Sequence, residues 1–211
     1  MSYFDIGKRI MDLTGGFIAV VLFSPIMIIT VLYIKLVSYR GPLFVEAKNR
    51  VGRGGKEFPM YKFRTMIPYA QDWLVSQPEL YKKYQENGYK LDPDPRWIPG
   101  ARIIRKFSLD EFPQFFNVIR GEMSLVGYRA YYGYEVKEQL KRYPEAKEFL
   151  DLALTAKPGV TGLWQISGRS ELSFLERVKL DATYARKRSL LYDIEIILRT
   201  PYVVLTGKGA F

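Results

Sequence analysis

The sequence predicts an α+β chain, mainly helical, in which an N-terminal helix-break-helix membrane segment re-enters the face it left, followed by a small β-hairpin and amphipathic helices at the membrane interface. Three observations predict it. Phe17 to Ile34 runs for 18 residues without a charge and is interrupted near its middle by Ser24-Pro25. Two extended runs flank the turn residues Arg53-Gly54-Gly55. Most of the remaining chain places its apolar residues at helical spacing. The chain divides accordingly into a membrane segment with its amphipathic start, residues 1–40, and a cytosolic domain, residues 41–211, with an interfacial C-terminal helix.

The apolar run reaches only about 27 Å at 1.5 Å per residue, barely the thickness of a bilayer core. Pro25 removes the N–H that would bond Val21, and the Ser24 hydroxyl can take a freed carbonyl. Cations flank both ends: Lys8 and Arg9 before, and Lys35, Arg40, Lys48, Arg50, Arg53 and Lys56 after. Positive flanks keep both ends on the cytoplasmic side, so the segment bends back instead of crossing. No small-residue cleavage site follows it, which excludes a removable signal.

Leu43-Phe44-Val45 leads into the hairpin and Tyr61-Lys62-Phe63-Arg64-Thr65 leads out with period two. Lys62 and Arg64 then share a face, either as a clamp on a pyrophosphate or as a solvated edge. Residues 69–99 read as a helix and a surface loop, with Pro78, Gly88 and Asp92-Pro93-Asp94-Pro95 as breakers.

The central stretch runs from Ser108 to Gly121 and reads as a short helix. Ser108 with Glu111 has capping-box spacing, which would put Asp110 in the first turn, where the helix dipole favours an ionised carboxylate. Leu109, Phe112, Phe116 and Ile119 would face the core, and Asp110, Gln114 and Asn117 another face. An isolated Asp-Glu pair is commonly no more than a cap. Here Arg102, Arg105, Lys106 and Arg129 surround it, an arrangement suited to a polyanionic substrate that a carboxylate must attack.

Met123 to Arg129 follows as a short extended segment returning Arg129 towards the carboxylates. Residues 134–156 read as one charged helix. Lys157 to Arg169 reads as a glycine-rich loop bearing Trp164 and Arg169, which either folds over a substrate or only turns. Leu172 to Arg188 is a helix, and the apolar tail Leu190 to Leu205 lies in the membrane interface or packs on the core.

Composition narrows the chemistry. The chain has 211 residues, 48% of them hydrophobic, enough for one sizeable core. Lys and Arg number 32 against 22 Asp and Glu, for a net charge of +10, which suits nucleic acid, anionic membranes or phosphorylated substrates. The chain has neither cysteine nor histidine, so disulfides, thiolate nucleophiles, His-based triads and the usual zinc sites are excluded. Carboxylates, Lys, Arg, Tyr or a hard metal such as Mg²⁺ remain.

Several blocks together carry a resemblance over nearly the whole chain: Ser24-Pro25, Gly41-Pro42, Arg50-Val51-Gly52, Tyr61 to Met66, Asp94-Pro95-Arg96, Arg105-Lys106 ahead of Ser108-Leu109-Asp110-Glu111, Gln114 with Asn117, Met123 to Gly127, and Pro158 to Gly162. The chain resembles the monotopic phosphoglycosyl transferases, also called bacterial sugar transferases. The resemblance implies transfer of a hexose 1-phosphate from a UDP-sugar to undecaprenyl (polyprenol) phosphate, with UMP released, at the cytoplasmic face of the bacterial inner membrane as surface-glycan assembly begins. It further implies that Asp110 is the nucleophile and a Mg²⁺ ligand, with Glu111 assisting the second half and helping to hold the metal. Lys62, Arg64, Arg105, Arg129, Gln114 and Asn117 would bind substrate and phosphate, and a re-entrant helix broken at Ser24 and Pro25 would attach the enzyme to membrane lipids. A start directly at the membrane segment resembles a minimal catalytic form. The family's Pro-Arg-Pro is replaced by Tyr128-Arg129-Ala130, which bears on sugar or nucleotide preference. A homodimer is left open and nucleic acid is not expected, because a nucleic-acid binder that stacks bases on its 16 Tyr would have no use for the hydrophobic segment. A lipid-binding anchor without activity, or a hydrolase of UDP-sugars at the same site, are the competing readings.

Overall fold

The computed structural model describes residues 3–87, 91–207 and 209; Gly88, expected as a turn, lies outside them. The chain starts with a single long helix, α1 (Tyr3–Val37), which contains Pro25. At 1.5 Å per residue it is about 52 Å long. The expected interruption does not divide it into two helices. Ser24 Oγ donates to Val21 O at 2.8 Å, taking up the carbonyl that Pro25 cannot bond.

One face of α1 packs along the rest of the protein through Asp12, Ala19, Met27, Thr30 and Ile34. These positions recur with helical spacing. Phe23 stacks on Phe112 and Phe115, with ring centroids 4.6 and 6.0 Å away. The opposite face exposes Phe17, Val21, Leu22, Ile29, Leu32 and Leu36. An unbroken apolar stripe of that length belongs against lipid or a partner rather than water.

The hairpin forms as expected from β1 (Phe44–Val51) and β2 (Glu57–Phe63), antiparallel around a 3₁₀ turn at Arg53–Gly55. The 69–99 region holds two helices, α2 (Ala70–Val75) and α3 (Pro78–Glu86), ahead of its loop. After α4 (Ala101–Lys106), the central stretch departs from the expected single helix. It is a 3₁₀ turn, Leu109–Glu111, followed by α5 (Gln114–Arg120), which Gly121 closes at φ 85°.

The tighter turn changes the helical phase. Phe115 and Val118 are therefore buried, and Phe116, expected in the core, is exposed. The proposed capping box is absent as well. Ser108 sits at φ 53° and makes no side-chain cap.

Beyond α5, β3 (Ser124–Val126) pairs in parallel with β4 (Gly159–Thr161), so part of the expected glycine-rich loop is a strand. The glycines permit the pairing. A Cβ on Gly159 would lie 2.1 Å from Gly127 N, and one on Gly127 would lie 2.2 Å from Lys157 O. Between the strands, α6 (Gly133–Arg142) and α7 (Ala146–Ala153) replace the single helix expected over 134–156, because Pro144 cannot continue α6.

Then come α8 (Leu163–Ile166), α9 (Phe174–Lys187) and α10 (Leu190–Thr206). The largest core joins β3 to α7, α9 and α10 through Val126, Leu150, Phe174, Val178 and Ile196. The tail both packs and exposes. Asp193 and Ile196 of α10 are buried, whereas Leu191, Leu198, Tyr202 and Leu205 face outward.

Candidate active site

The dyad owes its position to side chains that hold backbone. Asn117 is fully buried; its Oδ1 accepts from Tyr61 N at 3.0 Å, and its Nδ2 donates to Pro59 O and to Glu122 Oε2, each at 2.7 Å. It ties α5 to β2, next to Lys62. Sequence reading gave Asn117 to substrate, but these bonds occupy its amide.

Arg64, expected to bind phosphate, has its donors engaged elsewhere. Its donors go to the segment after α1 and to Met66: Nε to Pro42 O, Nη1 to Ser38 Oγ and Met66 O, and Nη2 to Ser38 O and Arg40 O. Nothing remains for a phosphate. A guanidinium has only five N–H donors, and here four backbone carbonyls and the Ser38 hydroxyl take them.

Lys62 points to the carboxylates. Its Nζ is 2.6 Å from Glu111 Oε1 and 3.8 Å from Asp110 Oδ2. The unequal distances divide the pair electrically. Burial pushes the Asp110 carboxyl above its ordinary range, with the adjacent Glu111 charge adding to the effect and Lys62 opposing it. Burial pushes Glu111 upward too, but the Lys62 ion pair, with the fields of Arg129 and Arg169, brings it below the ordinary range. Asp110 therefore does not gain the ionising helix dipole expected from sequence. It is a buried carboxyl raised above its ordinary range, with Lys62 and Arg105 opposing the rise.

Those cations arrive from separate elements. Arg105 on α4 lowers the Asp110 carboxyl through its field, while its guanidinium lies 5.5 Å from the Trp97 ring. Arg129 follows β3 and lies 4.9 Å over the Trp164 ring of α8; its Nε is buried without a protein partner. The main chain of Arg129 is fixed by Asp181 Oδ2, which accepts from its N–H at 3.3 Å and from Tyr131 Oη at 2.7 Å.

Arg169 was passed over by the sequence reading except as part of a glycine-rich loop. Its Nη2 donates to Ser108 Oγ at 2.9 Å, and its Nη1 is buried without a partner. Ser108 and Arg169 both take left-handed backbone angles, φ 53° and 52°. Such strain persists where the surroundings hold a residue in place for a task. Trp164 was also left out of the candidate set, and its buried indole N–H lacks a partner.

Together Lys62, Glu111, Gln114, Arg129 and Trp164 line a shallow cleft of about 30 Å³. Arg50, stacked 3.3 Å over Tyr132, completes its wall. Arg102 and Lys106, the other cations near the dyad in sequence, lie on the exposed side of α4. The site is a buried Asp110 and a half-buried Glu111 facing converging guanidinium and ammonium groups. It can hold a polyanion and offer it a nucleophilic oxygen.

The model of the family described as bacterial sugar transferase matches residues 3–207. The chain belongs to the bacterial sugar transferase family. Among its relatives it is similar to the undecaprenyl-phosphate galactose phosphotransferase of Salmonella typhimurium, 41% identical over 207 residues, covering 97% of this chain and 41% of that protein. It is also similar to the exopolysaccharide production protein ExoY of Sinorhizobium fredii, 37% identical over 98% of this chain and 88% of that one. A third relative is the UDP-N-acetylgalactosamine-undecaprenyl-phosphate N-acetylgalactosaminephosphotransferase of Aeromonas hydrophila, 34% identical over 96% of this chain and 44% of that protein. This sugar transferase family member thus spans about two fifths of the length of several relatives and most of ExoY.

Proposed function

We propose that the protein transfers a hexose 1-phosphate from a UDP-sugar to undecaprenyl phosphate, in two steps through a phosphosugar carried on Asp110. An Asp110 oxygen attacks the sugar-bearing phosphorus, the bond between the two phosphates breaks, and UMP leaves with its electron pair. An oxygen of the lipid phosphate then attacks the same phosphorus, and the aspartyl oxygen departs to restore the carboxylate. The observation that carries the reading is a buried Asp110 kept beside Glu111 by Lys62, with Arg105, Arg129 and Arg169 directing positive field at the pair. In phosphoryl transfer the protein works chiefly by positioning and by neutralising charge on phosphate oxygens, and those cations supply it.

Mg²⁺ fits this donor set. Among the described residues no group of three or more acids converges. Two adjacent carboxylates plus substrate phosphates are nevertheless the usual way in which this ion is bound, and Asp110 and Glu111 would hold it. When bound it would neutralise phosphate oxygens. Gln114, which lines the cleft, and Arg129 orient the nucleotide sugar, and Glu111 holds Lys62 in place. The cleft is too shallow to enclose a nucleotide sugar, so the ligand lies along its mouth.

The same proposal puts the protein on the cytoplasmic face of the inner membrane, with both ends of α1 at that face. Both ends of α1 rest on one domain: Lys8 pairs with Asp193 at 2.7 Å near its start, and Ile34 packs with Phe63 and Ile98 near its end. Ends held by one folded unit lie on one side of a bilayer.

The test is a covalent one. Wild-type protein given UDP-[³²P]sugar and denatured should retain label, release UMP, and lose the label on addition of undecaprenyl phosphate. Asp110→Asn should neither retain label nor turn over, because an amide is not a nucleophile. Turnover in Asp110→Asn, or normal turnover with no trapped label, would overturn the proposal.

A further inference from the structure

A second cavity lies away from the dyad. It has a volume of about 430 Å³ and shares no lining residue with the cleft beside Glu111. Five cations line it, from four places in the chain: Lys8 and Arg9 on α1, Arg53 in the hairpin turn, Lys157 between α7 and β4, and Arg188 between α9 and α10; two acids of α1, Asp5 and Asp12, offset part of that charge.

Some of this charge is already in use. Lys8 pairs with Asp193, and Arg9 donates to Val118 O and Ile119 O at the end of α5. Asp12 Oδ1 is turned to Ser124 Oγ and Leu125 N. Lys157 and Arg53 make no side-chain hydrogen bond or ion pair among the described residues, and Arg188 gives only Nη1, to Thr155 O. Lys157 is partly buried, and its ammonium is held below its ordinary pKa first by burial and then by Arg9, with Arg53 and Lys8 adding to it and Asp12 opposing. A protein gains nothing by gathering unpaired cations around a cavity, since each repels the next.

We propose that this cavity is a second phosphate-binding site, in which Arg53, Lys157 and Arg188 grip a phosphate mono- or diester. The donor set matches the ligand. A tetrahedral oxyanion accepts bonds from several directions at once, and guanidinium and ammonium groups brought from separate elements supply them. The volume falls in the range of small-ligand pockets and leaves room for an organic group attached to the phosphate. The location admits two sources of one chemistry. Arg188 lies 5.8 Å from the Phe4 ring of α1 and adjoins the start of α10, where Leu191 is exposed, so a lipid headgroup would reach the cavity from the membrane and a soluble phosphate from water.

The test uses the full chain in neutral detergent, titrated calorimetrically with inorganic pyrophosphate and, separately, with short-chain phosphatidylglycerol. Three proteins are compared: wild type, Arg53→Gln/Lys157→Gln, and Lys82→Gln/Lys83→Gln, which loses equal charge from α3. At least one probe should bind wild type and the α3 variant alike and the cavity variant roughly tenfold or more weakly, the loss expected from charge-assisted bonds. Pyrophosphate alone responding assigns a soluble phosphate; phosphatidylglycerol alone responding assigns a headgroup. If the double variant does not fold, Arg53→Gln, on an exposed turn, must weaken binding in the same direction. The proposal is overturned if no probe separates the cavity variant from wild type, or if the α3 variant loses as much. None of these substitutions touches the dyad, so the outcome is independent of the transferase reaction.

Discussion

Replacing Lys62 with Met removes the ammonium that contacts both carboxylates and keeps much of the side-chain volume. The Lys62 and Glu111 side chains are 24% and 25% exposed, so solvent screens the 2.6 Å pair only in part. A charge-assisted hydrogen bond of this kind contributes about 1.5–3 kcal/mol, and one pKa unit corresponds to about 1.4 kcal/mol. The carboxyls of Glu111 and, less strongly, Asp110 should therefore rise, carrying the acid limb of the UMP-release profile to higher pH. Stability gives an independent reading. Glu111 is lowered in the folded protein, so its pair contributes stability above the ordinary carboxylate pKa and loses it as pH falls through the lowered value. In Lys62→Met two carboxylates are left partly buried without their ammonium, which favours their protonation. The melting-temperature deficit should be largest near pH 8 and shrink towards pH 5. An acid limb that does not move, together with a deficit constant across pH, would refute the assignment of Lys62 to the dyad.

Three further outcomes follow from other parts of the molecule. Burial pushes Asp181 up to about 7, and a carboxyl raised on folding costs stability above that pH and returns it as pH falls; wild type should gain up to about 1.4 kcal/mol per pH unit from this group as pH falls from about 7 towards 4, and Asp181→Asn should lose that dependence in thermal melts. Gly159→Ala puts a Cβ against the backbone of Gly127 and should cost roughly 3 kcal/mol or prevent folding, whereas Gly54→Ala, in open space at φ 68°, should cost only about 1–2 kcal/mol in urea unfolding. Single cysteines at Ser2 and Arg40, in a chain with no native cysteine, should both react with an impermeant reagent in sealed inside-out vesicles; reaction of only one before detergent would show that α1 crosses the bilayer.

The hairpin was legible because its evidence is local: alternating residues on either side of Arg53-Gly54-Gly55 define strand, turn and strand within 20 or so residues. The pairing of β3 with β4 was not, because its partners lie 35 residues apart at Ser124 and Gly159 and neither strand is long enough to show a period. The two arginine assignments differ for the same reason. Arg64 and Arg129 look equally suited to phosphate in sequence, yet Arg64 is used up by the carbonyls of Pro42, Ser38, Arg40 and Met66, while Arg129 keeps a buried donor beside Trp164.

By itself the sequence determined which kinds of group were available and which chemistries were closed: no thiol, no imidazole, a surplus of cations, an Asp-Glu pair among them, and an uncharged run of 18 residues interrupted by proline. These are properties of composition and short spacing, and folding does not alter them. Only the tertiary structure decided which cations meet which acids. It gave the Lys62 ammonium chiefly to Glu111 and left Asp110 raised by burial; it brought Arg169 to Ser108 across 61 residues, and it turned Asn117 from a ligand candidate into the tie between α5 and β2. A hydrogen bond or an ion pair depends on a separation of a few tenths of an ångström and on the water excluded around it. Both are set by how the core packs, and core packing is shared among residues far apart in the chain.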